Sequence, residues 1–321
     1  MILKKMLKPE IDVRVISKDD DGNVLDDVVY CNAASDTWRN NLLRFFVGDT
    51  SGGGIGSVRI THIVVGTGDQ ATDTDDINAF GRNLNTVRYS KVTGTKTHVG
   101  GGEASIETDI AVDDAKFQWK KLGLLAGTKL VAVVDDTQPL DKGATAATII
   151  WRVKIGTIQN PPSTSLFEQG GSTSDTNGAV TTQWLTNAIS LIAGVVPDNA
   201  TNRGYVVATK VAVGNGTSTP ANTETTDSAV GTSAANRLIA DLTRVSLSST
   251  DPPFYQVYGE FPVPISFGWR SFALLAGTRL IVRIVDTDSS TSDAGSGVAA
   301  GKVARLYFNI SMRPLAQKAT G

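Results

Sequence analysis

The chain has 321 residues, with 32 acidic and 30 basic side chains and a net charge of −2. This near-neutral balance argues against nucleic acid as the main ligand, since binding to phosphates requires a basic surface. One cysteine and two histidines exclude an intramolecular disulfide framework and a zinc site built on paired thiolates, so we expect no cofactor.

The chain start, residues 1–10, carries three lysines but lacks the apolar stretch of a signal peptide. No window of the sequence is long and apolar enough for a membrane-spanning helix. We therefore expect synthesis in a cytoplasm and no membrane partner.

Residues 1–35 are predicted to form an N-terminal arm with one hairpin. Apolar residues alternate over residues 11–16 and 24–30, and Asp21-Gly-Asn23 provides the turn between them. We expect this hairpin to be free, so that it can add strands to the open sheet edges of neighbouring subunits.

An amphipathic helix is predicted next, over residues 37–47. Ser35 or Asp36 can cap its first turn, and Gly48 ends it. Strands follow at residues 58–65, 86–93 and 104–110, and the last of these has the period of two that is typical of a half-buried strand.

The most informative feature of the sequence is an internal duplication. Residues 119–137 recur at residues 269–287, and about half of the aligned positions are identical, including the run Leu-Leu-Ala-Gly-Thr. Shorter matches occur in the same order on either side, among them Trp38 with Trp184. Because chance does not easily produce several matched blocks in one order, the sequence predicts one unit present twice.

Each repeat combines one short helix, at residues 181–193 in the second copy, with six or seven short strands. This content predicts an all-β fold with one short helix per repeat, arranged as two tandem duplicated β-sandwich domains. The repeats cover residues 36–158 and 181–314. Residues 159–180 form a linker rich in Gly and Ser, and residues 315–321 form a tail.

No residue pattern in the sequence predicts catalysis, and we expect that the chain is not an enzyme. Gly66-Thr-Gly68 lacks the remaining glycine of a dinucleotide loop, so a strand-ending turn is the simpler interpretation. His62 has no neighbouring motif that supplies a nucleophile or an orienting carboxylate. Glu103, Glu107 and Glu260 leave glycoside hydrolysis open, but nothing selects two of them.

Acidic loops and tryptophans allow two further interpretations. The aspartates of residues 73–76 and 286–293 could supply oxygen ligands to calcium, but their spacing does not fit an EF-hand, and solvated turns are favoured. The tryptophans recur at matching positions of both repeats, which favours core packing over sugar stacking.

The repeat resembles virion structural proteins of tailed phages and related viruses. The resemblance rests on the Asp36-Thr-Trp-Arg-Asn-Asn41 helix, the Gly66-Thr-Gly68 strand end, Asn83-Leu-Asn-Thr-Val-Arg88 and the Gly123-Leu-Leu-Ala-Gly-Thr128 block. It implies a β-sandwich component of a tail or of a head surface.

This resemblance leads us to expect a self-assembling virion protein, most of all a tail tube component that forms rings by homo-oligomerisation. A trimer of duplicated chains would present six similar units. Its partners would be copies of itself and other virion proteins. Head decoration or capsid protein, a receptor- or glycan-binding tail fibre module and a carbohydrate-active enzyme are the alternatives.

The interface is expected on the hairpin and on the loops of residues 69–83 and 215–235. The residues proposed to contact a neighbouring subunit are Val13, Val15, Val24, Val28, Tyr30, Asp69, Asp75 and Phe80.

Overall fold

A computed structural model describes residues 2–19, 21–32, 34–68, 88–141, 145–157, 176–248, 254–262, 267–286 and 303–312. The chain folds mainly into strands, which confirms the predicted all-β class. The strands are β1 (Ile2–Lys18), β2 (Val24–Asn32), β3 (His62–Gly66), β4 (Arg88–Val92), β5 (Thr95–Gly100), β6 (Glu103–Ile110), β7 (Gln118–Ala126), β8 (Lys129–Asp141), β9 (Ala146–Thr157), β10 (Thr176–Val180), β11 (Lys210–Gly214), β12 (Arg237–Asp241), β13 (Thr243–Ser248), β14 (Phe254–Pro262), β15 (Ser271–Ala276), β16 (Arg279–Asp286) and β17 (Val303–Met312).

The helices are α1 (Asp36–Phe46), α2 (Thr182–Ala193) and the short α3 (Ala200–Gly204). The first two lie where the sequence predicts them, whereas α3 is an addition to the expected single helix per repeat. Strand β3 begins later than the predicted residue 58, and β11 likewise begins only after an apolar stretch. The apolar residues before them, such as Ile60 and Ala208, are buried in the core without belonging to a strand.

Each half of the chain contributes one smaller sheet. The first has the order β4-β3-β7-β8, and the second has the order β10-β16-β15-β11-β12. Strand β10 shows that residues 176–180, expected as part of the linker, pair with β16 and belong to this second sheet. Residues 158–175 and the tail at residues 315–321 lie outside the described part of the chain.

A larger sheet joins the two halves, in the order β13-β14-β17-β1-β9-β6-β5, with β2 paired to β1. Residues 2–7 of β1 pair with β17 in parallel, and residues 7–18 pair with β9 in antiparallel register. The predicted hairpin exists, because β2 pairs with β1. The expectation that it is free is wrong for β1, which is bonded along both edges and lies in the middle of the sheet. Strand β2 pairs only with β1 among the described residues.

The same local contacts occur in both halves. Ser35 and Thr181 each accept a hydrogen bond from the backbone N–H of the tryptophan three residues later, at 3.2 Å. The indole N–H of Trp38 donates to the carbonyl of Val58 at 3.0 Å, and that of Trp184 donates to Val206 at 2.9 Å. These paired contacts agree with the repetition seen in the sequence.

The two halves exchange contacts reciprocally. The backbone N–H of Ile60 donates to the carbonyl of Ile192 at 2.8 Å, and that of Ala208 donates to Phe46 at 2.7 Å. Helix α1 packs on β13, β14 and β17 as well as on β8 of its own half, and α2 packs on β5, β6 and β9 as well as on β16 of its own half. Each helix therefore covers strands of the opposite half, as in a two-fold symmetric dimer in which one patch contacts its own copy.

A single cluster of buried apolar side chains contains members from both halves, including Trp38, Leu42, Trp184 and Phe272. The smaller second sheet faces the large sheet where Gly259 of β14 passes Val211 of β11. A Cβ atom at Gly259 would lie 2.8 Å from that of Val211, so the close approach of the two sheets requires glycine there.

Candidate functional site

Strand β1 places two of the predicted interface residues in the core. Val13 is 0% exposed and Val15 is 1% exposed. Both side chains contact the hydrophobic cluster beneath the large sheet. The prediction that they face a neighbouring subunit is therefore wrong, and their alternation with polar residues marks a buried strand face.

Strand β2 is the exposed part of the hairpin. Val24 is 58% exposed, whereas Val28 and Tyr30 are half-buried. The sequence prediction missed Leu25 and Val29, which are 58% and 61% exposed. Among the described residues β2 pairs only with β1. Within the described residues, the other edge of β2 over residues 24–29 has no strand partner, and exposed apolar side chains lie beside it.

An ion pair fixes β2 against β1. The Arg14 guanidinium donates to both carboxylate oxygens of Asp27, at 2.7 and 2.5 Å. These contacts lower the pKa of the Asp27 carboxyl, first through the hydrogen bond from Arg14 and also through its charge. Because both side chains are exposed, the pair orients the strand and adds little to stability.

The remaining predicted interface residues, Asp69, Asp75 and Phe80, lie outside the described residues. The loop of residues 215–235 is described, and it folds back on its own half. Arg283 of β16 is buried and donates to both carboxylate oxygens of Glu224, at 2.8 and 2.6 Å. It also donates to the carbonyl of Ser218 at 3.0 Å. These bonds compensate the buried charge of Arg283 and hold the loop of residues 215–235 against the second small sheet.

Asp49 links the two halves near the end of α1. Its carboxylate accepts hydrogen bonds from the Tyr255 hydroxyl at 3.0 Å and from the Arg44 guanidinium at 3.1 Å. Burial raises the pKa of Asp49, but hydrogen bonds from Ser51 and Tyr255 and the charge of Arg44 outweigh it and leave the pKa below its usual value. This acid group is thus held in its ionised form.

A polar cleft of about 400 Å³ opens beside α2 in the second half. Residues 225–227 and 278–280 form one wall, because Thr226 and Arg279 pair as an isolated bridge. Helix α2 and the residue after α3, Tyr205, form the other side. The lining residues are Gln183, Trp184, Asn187, Tyr205, Thr225, Thr226, Thr278, Arg279 and Leu280.

Three side chains determine the chemistry of this cleft. The guanidinium carbon of Arg279 lies 3.8 Å from the centre of the Tyr205 ring, which is the geometry of a cation–π contact. The side-chain oxygen of Asn187 accepts a hydrogen bond from Gln183 at 3.2 Å. The amide nitrogen of Asn187 is buried and has no hydrogen-bond partner in the described part of the chain.

The carboxylates considered for catalysis lie on two strands of the large sheet. Glu103 and Glu107 lie on β6, whereas Glu260 lies on β14 and forms an ion pair with Arg305. Among the described residues no group of three or more His, Cys, Asp or Glu side chains is placed to hold a metal ion. Among the described residues no helix is long and apolar enough to cross a membrane.

Comparison with family models, curated proteins and solved structures finds no match to this chain.

Proposed function

We propose that the protein is a self-assembling structural component of a virion, which assembles with copies of itself through the exposed edge of β2. The observation that carries this proposal is the open strand edge beside exposed Val24, Leu25 and Val29. Exposed edge strands pair readily with another chain, and natural proteins usually protect them. Unprotected apolar side chains at such an edge are typical of an interaction site.

The virion assignment rests on the resemblance of the repeat to structural proteins of tailed phages. A ring-forming tail tube protein is the first choice within that class, and a head decoration or capsid protein is the alternative. The reciprocal contacts between Ile60 and Ile192 and between Ala208 and Phe46 bear on how a ring could form. They give the chain two-fold pseudosymmetry, so a ring of three chains would carry two-fold axes in its plane and would have two similar faces.

Sedimentation and electron microscopy of the full chain over a range of concentrations test this proposal. We expect rings or tubes, or at least oligomers that grow with concentration. In the variants Leu25→Lys and Val29→Lys the assembly should be lost, because a charge would be buried against the added strand. The folded monomer should persist, since both positions are exposed.

Val303→Lys is the matched control. Val303 is 57% exposed and lies at the beginning of β17, where it pairs with Pro262 of β14 and is remote in sequence from β2. Its replacement should leave assembly unchanged. A wild-type chain that remains monomeric at all concentrations would refute self-assembly, and equal loss in the Val303 variant would refute the role of β2.

A receptor- or glycan-binding module is the second candidate function. The polar cleft beside α2 favours it, because it combines an aromatic ring with hydrogen-bond donors in a volume usual for small-ligand sites.

A further inference from the structure

The cleft beside α2 presents hydrogen-bond donors that the described residues leave unused. The Arg279 guanidinium stacks on Tyr205, and among the described residues it forms no ion pair with a carboxylate. The buried amide nitrogen of Asn187 also lacks an acceptor. A buried donor without an acceptor is costly, which favours a ligand that supplies one.

The electrostatic balance of the cleft favours an anion. Its lining contains the cation Arg279 and no acidic side chain. The carboxylates of the surrounding segments are engaged elsewhere, since Glu224 binds Arg283, Asp227 lies 3.4 Å from Arg237, and Asp198 binds Arg203. A stacked guanidinium keeps its edge N–H groups available for a carboxylate, which it can bind through two hydrogen bonds.

The rest of the wall suits hydroxyl groups. Thr225, Thr226 and Thr278 line the cleft, and a threonine hydroxyl can both donate and accept. The hydroxyl of Thr226 already shares a hydrogen bond with that of Ser228 at 2.6 Å, and Gln183 adds an amide at the rim. We propose that the cleft formed by Asn187, Tyr205 and Arg279 binds a sugar-sized ligand that carries a carboxylate, such as a uronic acid residue of an acidic polysaccharide. The volume of about 400 Å³ lies in the range of small-molecule sites.

The first half of the chain does not reproduce these groups. The repeated block aligns Arg279 with Lys129, and the tryptophan contacts align Tyr205 with Ser57. A stacked guanidinium is therefore impossible at the equivalent place. The pair is therefore specific to the second half, which corresponds to one binding site per chain.

Titration of the full chain with glucuronate, glucose and acetate, followed by NMR and calorimetry, tests the inference. Glucuronate should bind and shift the signals of Asn187 and Thr278, while glucose and acetate bind at least about tenfold more weakly. The variants Arg279→Gln and Tyr205→Ser should each weaken glucuronate binding by about tenfold or more, which corresponds to about 1.4 kcal/mol. Lys129→Gln, the matched change in the first half, should leave it unchanged.

Each other outcome overturns the proposal in a defined way. If acetate binds as tightly as glucuronate, the cleft recognises only the carboxylate and not the sugar. If glucose binds as tightly as glucuronate, Arg279 does not contribute to recognition. Absence of glucuronate binding by a chain whose NMR spectrum is that of the folded protein would refute the site. The inference does not depend on self-assembly, because the titration is performed on the monomeric Val29→Lys variant as well as on the wild type.

Discussion

Ile60 and Ile192 lie in different halves of the chain, and the backbone N–H of the first donates to the carbonyl of the second at 2.8 Å. The equivalent bond from Ala208 to Phe46 runs in the opposite direction between the halves, at 2.7 Å. Each half thus completes the core of the other.

This exchange predicts that neither half folds alone. Expressed as separate chains, residues 1–158 and 159–321 would each leave uncovered one helix face and the three strands of the large sheet that the other half's helix packs on. Exposed apolar surface of that extent favours aggregation. Co-expression should give a soluble complex. Circular dichroism and size-exclusion chromatography of the separate and co-expressed halves measure this, and a cooperative thermal transition of either half alone would contradict it.

A second prediction concerns the paired indole hydrogen bonds. Trp38→Phe and Trp184→Phe each remove the donor of one hydrogen bond to a backbone carbonyl. Each should lower the free energy of unfolding by about 1 kcal/mol beyond the loss that the smaller ring causes by itself. Trp151→Phe is the control, because the Trp151 indole nitrogen is buried without a partner among the described residues. Equal costs for the three variants, measured by chemical denaturation, would contradict the role of the bonds.

The buried ion pair in the second half gives a third prediction. Glu224→Leu leaves the guanidinium of Arg283 uncompensated in the core and should reduce the free energy of unfolding by about 3–5 kcal/mol. The double variant Glu224→Leu with Arg283→Met removes both charges and should recover most of that loss. A double variant as unstable as the single one would show that the loop depends on packing and not on charge.

A fourth prediction follows from Asp49. Its pKa is lowered from the ordinary value of 3.8, although burial opposes this, because hydrogen bonds and Arg44 favour the ionised form. A lowered pKa in the folded state contributes stability above the unfolded-state pKa, which is lost as the pH falls through the folded value. Asp49→Asn should therefore cost about 1 kcal/mol at neutral pH and progressively less below about pH 4.

Urea denaturation of wild type and Asp49→Asn between neutral pH and pH 3 measures the difference. Asp27→Asn is the comparison, because its carboxylate is also paired with an arginine but is exposed and lies within one hairpin. A cost of Asp49→Asn that stays constant with pH would contradict the ionised state as its source.

Helix positions and the recurring tryptophans could be predicted from the sequence, because caps and apolar periodicity are local signals. The place of β1 was missed, although the alternation of Ile11, Val13 and Val15 does signal a buried face. No local sequence signal predicts that each helix packs on strands of the other half, because an apolar helix face can be covered by any apolar strand surface. The cleft was also missed, since Tyr205 and Arg279 are distant in sequence and meet only through the fold.

The pairing of Ile2 with Tyr307 has a consequence for biosynthesis. Strand β1 leaves the ribosome long before β17 does, so its first residues have no strand partner until nearly the whole polypeptide has been translated. Completion of the large sheet is therefore slow and depends on contacts between distant segments. A nascent chain held at that stage would be the form most exposed to premature aggregation and most dependent on chaperones.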